Sequence, residues 1–159
     1  MIRDGKTLMR PTYENTSTLK HESTFAVDLG RVWRCLLVKV PVKYCIDTVA
    51  MRNGSPVAWV ELKNRDASSN AFGEYMLALS KWKEGRELAA ATKLPFMLAV
   101  RWSDCDTCVR LDGEAKIRLG FGGRVDRGDW QDKEPMVYIP MSQFTRVPTR
   151  ERTVDHVSM

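Results

Sequence analysis

The sequence predicts an α/β domain whose elements run α, β, β, β, α, β, with further short strands towards the C-terminus. Two stretches place apolar residues at helical spacing, and three β-branched or apolar runs lie between them, separated by turn residues. A third observation is PFMLAVRW, an almost wholly apolar run directly after the second helical stretch, which reads as a buried strand. A chain of 159 residues fits one domain, which at this size hides roughly 68 to 70% of the surface its unfolded form exposes. Residues 1–159 are therefore read as a single unit, with 1–14 an N-terminal arm and 149–159 a flexible tail.

Residues 1–14 show no apolar periodicity, whereas Asn15, Thr16, Ser17 and Thr18 offer N-caps to a helix running to about Gly30. Its apolar stripe is Phe25, Ala26, Leu29 and Trp33, and a step of three back from Phe25 puts the carboxylate of Glu22 on the same inward face. CLLVKV, KYCIDTVAM and PVAWVELK follow as three antiparallel strands, the last two joined at Asn53 and Gly54. After the polar gap NRDASSN, the segment AFGEYMLALSKWKEGRELAAATK carries Phe72, Tyr75, Met76, Leu79 and Trp82 at helical spacing and reads as one long helix. Pro95 ends it, and PFMLAVRW then runs parallel to a neighbour reached by the helical crossover. Short strands are expected at TCVRL, AKIRL and MVYIP, with the Gly-rich GFGGRVDRGDW as the loop before the last.

The composition, 43% hydrophobic and 28% charged, is that of a soluble globular protein. Twenty-five Lys and Arg against 20 Asp and Glu give +5, a mild bias towards a polyanionic partner. No apolar run reaches the roughly 18 residues of a membrane span, and the opening MIRDGKTLMRPTYEN lacks the apolar stretch of a secretory signal. A cytoplasmic protein with no membrane partner is expected. Cys105 and Cys108 have the spacing of half a zinc knuckle, but Cys35 and Cys45 do not complete it, so packed thiols and a turn are the expected arrangement.

The chemistry gathers on two neighbouring strands. In PVAWVELK, Ala58, Val60 and Leu62 form an apolar face, while Glu61 and Lys63 project together from the other. Asp47 falls in the middle of the preceding strand, between Ile46 and Val49, where a carboxylate is costly unless a cation or hydrogen bonds compensate it. A simple two-residue loop at Asn53-Gly54 would oppose Asp47 to Val60. A three-residue loop, or a single bulge, would instead set Asp47 across from Glu61 on one face. Two carboxylates and a lysine suit phosphodiester hydrolysis: hard oxygens hold Mg²⁺ or Mn²⁺, and the lysine orients or deprotonates the attacking water. The backbone carbonyl of Leu62 lies between the two side chains as a further candidate ligand.

Glu22 on a helix, Asp47 before a hairpin and Glu61-Leu62-Lys63 after it resemble the core of the PD-(D/E)XK, restriction-endonuclease-like nucleases, over about residues 16 to 102. That resemblance implies a central mixed sheet flanked by helices, Mg²⁺-dependent cleavage of DNA, and a place in restriction, recombination, repair or phage DNA processing. It matches Asp47 and Glu61 to the metal-binding acids, Lys63 to the lysine, and Glu22 to the helix glutamate of resolvase-like and exonuclease-like members. Ile46 stands where the name-giving motif has proline, a departure that leaves the chemistry untouched.

Other features are weaker. Arg124 and Arg127 in GFGGRVDRGDW are candidates for DNA phosphates, although no Lys-Ser/Thr ending marks a nucleotide loop and a plain hairpin is the commoner meaning. Lys81 and Lys83 on the second helix are candidates to track a DNA backbone, against the commoner meaning of a solvated outer face. Tyr75 fits the core, His21 is turned about 100° from Glu22, and His156 lies in a polar tail. The rival to a nuclease is a DNA-binding or assembly protein on the same scaffold without turnover; a third class is an unrelated α/β ligand-binding domain. A homodimer is compatible with the small size, and RNA stays open as a substrate.

Overall fold

A computed structural model describes residues 16–123 and 133–150. Helix α1 spans Thr16–Trp33, a turn beyond the expected end. It is followed by β1 (Leu36–Lys39), β2 (Thr48–Arg52) and β3 (Ser55–Asn64), then β4 (Glu74–Ala78), α2 (Leu79–Thr92) and β5 (Phe96–Arg101). The C-terminal part adds β6 (Asp106–Arg110), β7 (Arg118–Gly123), β8 (Lys133–Pro140) and β9 (Thr145–Val147). Among the described residues no helix is long and apolar enough to cross a membrane. The expected arm at 1–14 lies outside them, whereas Thr149 and Arg150, assigned to a tail, are tied to the buried carboxylate of Asp106.

The main sheet has the order β1-β2-β3-β5-β6-β9. Strands β3 and β5 are parallel, as the crossover requires, and the other neighbours are antiparallel. One face is closed by α1, whose fully buried Phe25 and Leu29 pack on Ala50, Ala58, Val60, Leu62 and Ala99. Each such side chain contributes about 1.5–3 kcal/mol by leaving water. The other face, bearing Phe96, Leu98 and Val100, is closed by α2 and by a second sheet of order β4-β8-β7. The alternation foreseen in PVAWVELK holds: Val60 and Leu62 face α1, and Glu61 and Lys63 face the other layer, beside Leu98 and Val100 of β5.

The structure corrects the sequence reading in residues 71–78, expected as the first turns of the second helix. Residues 74–78 are strand β4, paired antiparallel with β8 from Glu74↔Pro140 to Ala78↔Met136. Tyr75 and Leu77 point into the core beside Val137 and Ile139, a period of two that the helical spacing of Phe72, Tyr75, Met76 and Leu79 had masked. The helix begins only at Leu79. The short C-terminal strands therefore divide between two sheets. The glycines expected to loop out belong in part to β7, where a Cβ on Gly120 or Gly122 would lie 2.5 Å or 2.7 Å from the Tyr138 side chain. They make room for that ring across the β7–β8 pair.

Residues 53 and 54 form the tight two-residue turn, with φ of 51° at Asn53 and 76° at Gly54, and Arg52 faces Ser55. Continued regularly, this would place Asp47 against Val60. The register shifts instead between Ala50↔Ala58 and Met51↔Pro56, leaving Val57 as an extra residue on β3. Pro56, which has no N–H to give to a ladder, stands at the irregularity. Beyond the bulge Thr48 faces Val60, so the next pair outward is Asp47 and Glu61. Asp47 is not in mid-strand as expected; it immediately precedes β2, with its carbonyl accepting from the Val40 N–H at 3.0 Å.

Candidate active site

Glu61 is 0% exposed, in the middle of the sheet on the α2 side. A carboxylate there requires compensation, and three groups supply it. The ammonium of Lys63 lies 2.8 Å from Oε1, that of Lys81 lies 2.9 Å from Oε1 and 3.2 Å from Oε2, and the Asp47 N–H donates to Oε2 at 3.3 Å. Lys81 also reaches Asp47 Oδ1 at 3.3 Å and donates to the Cys45 carbonyl at 2.5 Å. Two acids and two ammoniums thus form one cluster in which the formal charges cancel. Thr48 steadies its floor by donating its hydroxyl to the Val60 carbonyl at 2.8 Å.

Burial alone would lower the pKa of Lys63, but the charge of Glu61, then that of Asp47, outweighs it and raises the value above the ordinary lysine range. Lys63 is therefore a firm cation here. Burial raises the Cys45 thiol at the rim of the cluster, against the opposing charge of Lys81, so it stays protonated near neutrality.

Lys81 is the residue whose place the sequence reading missed. It was grouped with Lys83 on an outer helix face, but Lys83 is 69% exposed and pairs with Glu87, whereas Lys81 points into the acids. Steps of four from Lys81 land on Gly85 and Ala89, both buried. That signal was present, but small residues do not register as an apolar stripe. A Cβ on Gly85 would lie 2.1 Å from the Phe96 ring, so the bare glycine lets α2 settle onto β5 and brings Lys81 within reach of β3.

Tyr75 is core, as expected, with its hydroxyl buried. Arg65 lies over its ring, 5.2 Å from the centroid. Glu22 is half-buried on α1, whose stripe packs on the opposite face of the sheet. Among the described residues no three of His, Cys, Asp and Glu gather as a metal-binding group, so Glu22 does not join Asp47 and Glu61. His21 lines a separate cleft with Asn64, Arg65 and Arg101. Leu62 buries its side chain on the α1 face. Arg124, Arg127 and His156 lie outside the described residues.

Residues 8–147 match a family model described as phage putative PDDEXK endonuclease. Among solved structures, the fold is similar to that of Archaeoglobus fulgidus Hjc, a Holliday junction resolvase from an archaeal hyperthermophile. The TM-score is 0.51 at 15% identity, over 80% of this chain and 93% of that one. Curated proteins give no match.

Proposed function

Because the chain belongs to the phage putative PDDEXK endonuclease family, we propose that it is a divalent-metal-dependent deoxyribonuclease. Its setting would be phage DNA processing, recombination or repair in the host cytoplasm. The observation that carries this reading is the convergence of Asp47, Glu61 and Lys63 on one face of neighbouring chain segments. The donor set fits a hard cation: the buried Glu61 carboxylate and Asp47 Oδ1 converge on one ammonium, so two hard oxygen donors already share a cation there.

Asp47 and Glu61 would hold Mg²⁺, or Mn²⁺ in its place, with the Leu62 carbonyl as a further ligand. Bound there, the ion would lower the pKa of a water and neutralise phosphate charge. Lys63, fixed by Glu61 and permanently charged, would place its ammonium against the scissile phosphate and orient the water. The Asp47 N–H, by holding Oε2, keeps the Glu61 carboxylate turned towards that side. Glu22 is left out of this ligand set, and any part it has would be towards substrate. Lys83, Arg124 and Arg127 remain candidates for the DNA backbone.

One observation favours the rival reading, a scaffold that binds DNA without turnover: the charge cluster is already balanced by two lysines. Incubation of purified protein with linear, nicked and four-way-junction DNA, and with RNA, in Mg²⁺ or Mn²⁺ separates the two. Cleavage that needs the metal and vanishes in Asp47→Ala and Lys63→Ala is expected. DNA binding without any cleavage would establish the scaffold, and cleavage undiminished in both variants would remove the assigned site. Light scattering on the same samples tests for a homodimer.

A further inference from the structure

The oxygens around Lys81 come from three residues on two neighbouring chain segments. Its ammonium lies 2.5 Å from the Cys45 carbonyl, 3.3 Å from Asp47 Oδ1, and 2.9 Å and 3.2 Å from the two oxygens of Glu61. A cage of carboxylate and carbonyl oxygens is what a hard divalent cation takes. Lys63, by contrast, approaches Glu61 Oε1 alone from the same strand, leaving Lys81 as the group that bridges both acids. Its side chain is 23% exposed, so it has a path outward to solvent.

We propose that Lys81 is a resident counter-cation whose ammonium marks the divalent-ion position among Cys45 O, Asp47 and Glu61 and competes with the ion for it. This rests on the nuclease reading of the same acids and adds a ligand, the Cys45 carbonyl, and a control on metal entry. Without Lys81, Asp47 and Glu61 would face each other across the sheet with only Lys63 to offset two charges, so the lysine holds the acids in place. A dication entering beside both ammoniums would meet a cluster of zero formal charge, without the net attraction that two free carboxylates offer. Once Lys81 swings outward, the acids become available and its ammonium is free for an anionic group. A DNA phosphate supplies that group, so metal and DNA should each strengthen the binding of the other.

The test is Mn²⁺ titration, followed by calorimetry and by electron paramagnetic resonance, on wild type, Lys81→Met, Lys81→Arg and Asp47→Ala. Lys81→Met should bind Mn²⁺ about tenfold or more tightly than wild type, one decade being 1.4 kcal/mol. Lys81→Arg, which keeps the charge, should not show the gain. The metal-free Lys81→Met protein should melt below wild type and recover more on adding Mn²⁺, a readout independent of cleavage. In a Lys63→Ala background, where cleavage is lost, adding duplex DNA should tighten Mn²⁺ binding more when Lys81 is present than when it is Met. Should Lys81→Met require Mn²⁺ to fold, that dependence supports the proposal, and Lys81→Gln provides the affinity. Equal or weaker Mn²⁺ binding in Lys81→Met and Lys81→Gln, with wild-type binding still lost in Asp47→Ala, overturns the competition but leaves the metal site standing. No Mn²⁺ binding dependent on Asp47 in any variant overturns both.

Discussion

The backbone N–H of Asp47 donates to Oε2 of Glu61 across 3.3 Å, an alignment that exists because Val57 is an extra residue in β3. Side-chain period on a strand is two, so one inserted residue moves Asp47 from opposition with Val60 to opposition with Glu61. Both acids then lie on the face covered by α2.

Deleting Val57 should restore the regular register and turn Glu61 away from Asp47. Cleavage is expected to fall by about two orders of magnitude or more, the cost typical of a misplaced catalytic group. Far-UV circular dichroism should still report a mixed α/β fold. Full activity in the deletion variant would show that the bulge does not set the site.

Gly85→Ala should destabilise the protein, because its Cβ would lie 2.1–2.4 Å from three atoms of the Phe96 ring. Overpacking of this kind costs about 1–3 kcal/mol, which for a domain of this size lowers Tm by a few degrees, ~2–4 °C per kcal/mol. Shrinking the ring with Phe96→Leu in the same chain should return part of the loss, since the two positions touch. Additive effects of the two substitutions would argue against the close approach of α2 to β5.

Asp104 governs an acid-sensitive clasp. Its carboxylate accepts from the Ser69 N–H at 2.8 Å and the Ser69 hydroxyl at 2.7 Å, which lowers its pKa from 3.8 to about 2. A folded value below the unfolded one means the contribution is whole above about pH 4 and fades as pH falls from there through about 2. Protection of the Ser69 amide, measured against its intrinsic exchange rate, should therefore fall over that window in wild type. In Asp104→Ala, which removes the acceptor, that protection should be lost at every pH; a protected Ser69 amide in that variant would refute the clasp.

Asp106 is 1% exposed and accepts from Arg101 Nε at 3.0 Å, from a terminal Arg101 nitrogen at 2.8 Å, from Arg150 at 3.0 Å, and from the Thr149 hydroxyl. Asp106→Ala leaves Arg101 without its main partner and should cost about 3–5 kcal/mol in urea unfolding. Asp106→Asn, which keeps acceptor and shape, should cost less. Equal stability of wild type and Asp106→Ala would mean that the segment around 149–150 is not anchored there.

Several parts of this molecule are written locally. The hairpin at Asn53-Gly54, the inward face of Val60 and Leu62, the outward pair Glu61 and Lys63, and the buried strand at Phe96–Arg101 all follow from spacing and turn chemistry within a few residues. What spacing could not separate was a short strand from the first turns of a helix at Glu74–Ala78, since Tyr75, Met76 and Leu79 fit a helical stripe while Tyr75, Leu77 and Leu79 fit the alternation of a strand. The partner that decides it is Ile139, opposite Tyr75 but far downstream.

By itself the sequence determined the order of the core elements apart from β4, and that Glu61 and Lys63 share a strand face, and hence the kind of chemistry available. Only the tertiary structure decided which way the hairpin register falls, that Lys81 enters the acid pair instead of facing solvent, and that Thr149 and Arg150 close over Asp106. Each of these depends on contacts between residues distant along the chain. Their energies come from packing density and charge compensation in a low-dielectric interior, which no local pattern of residues encodes.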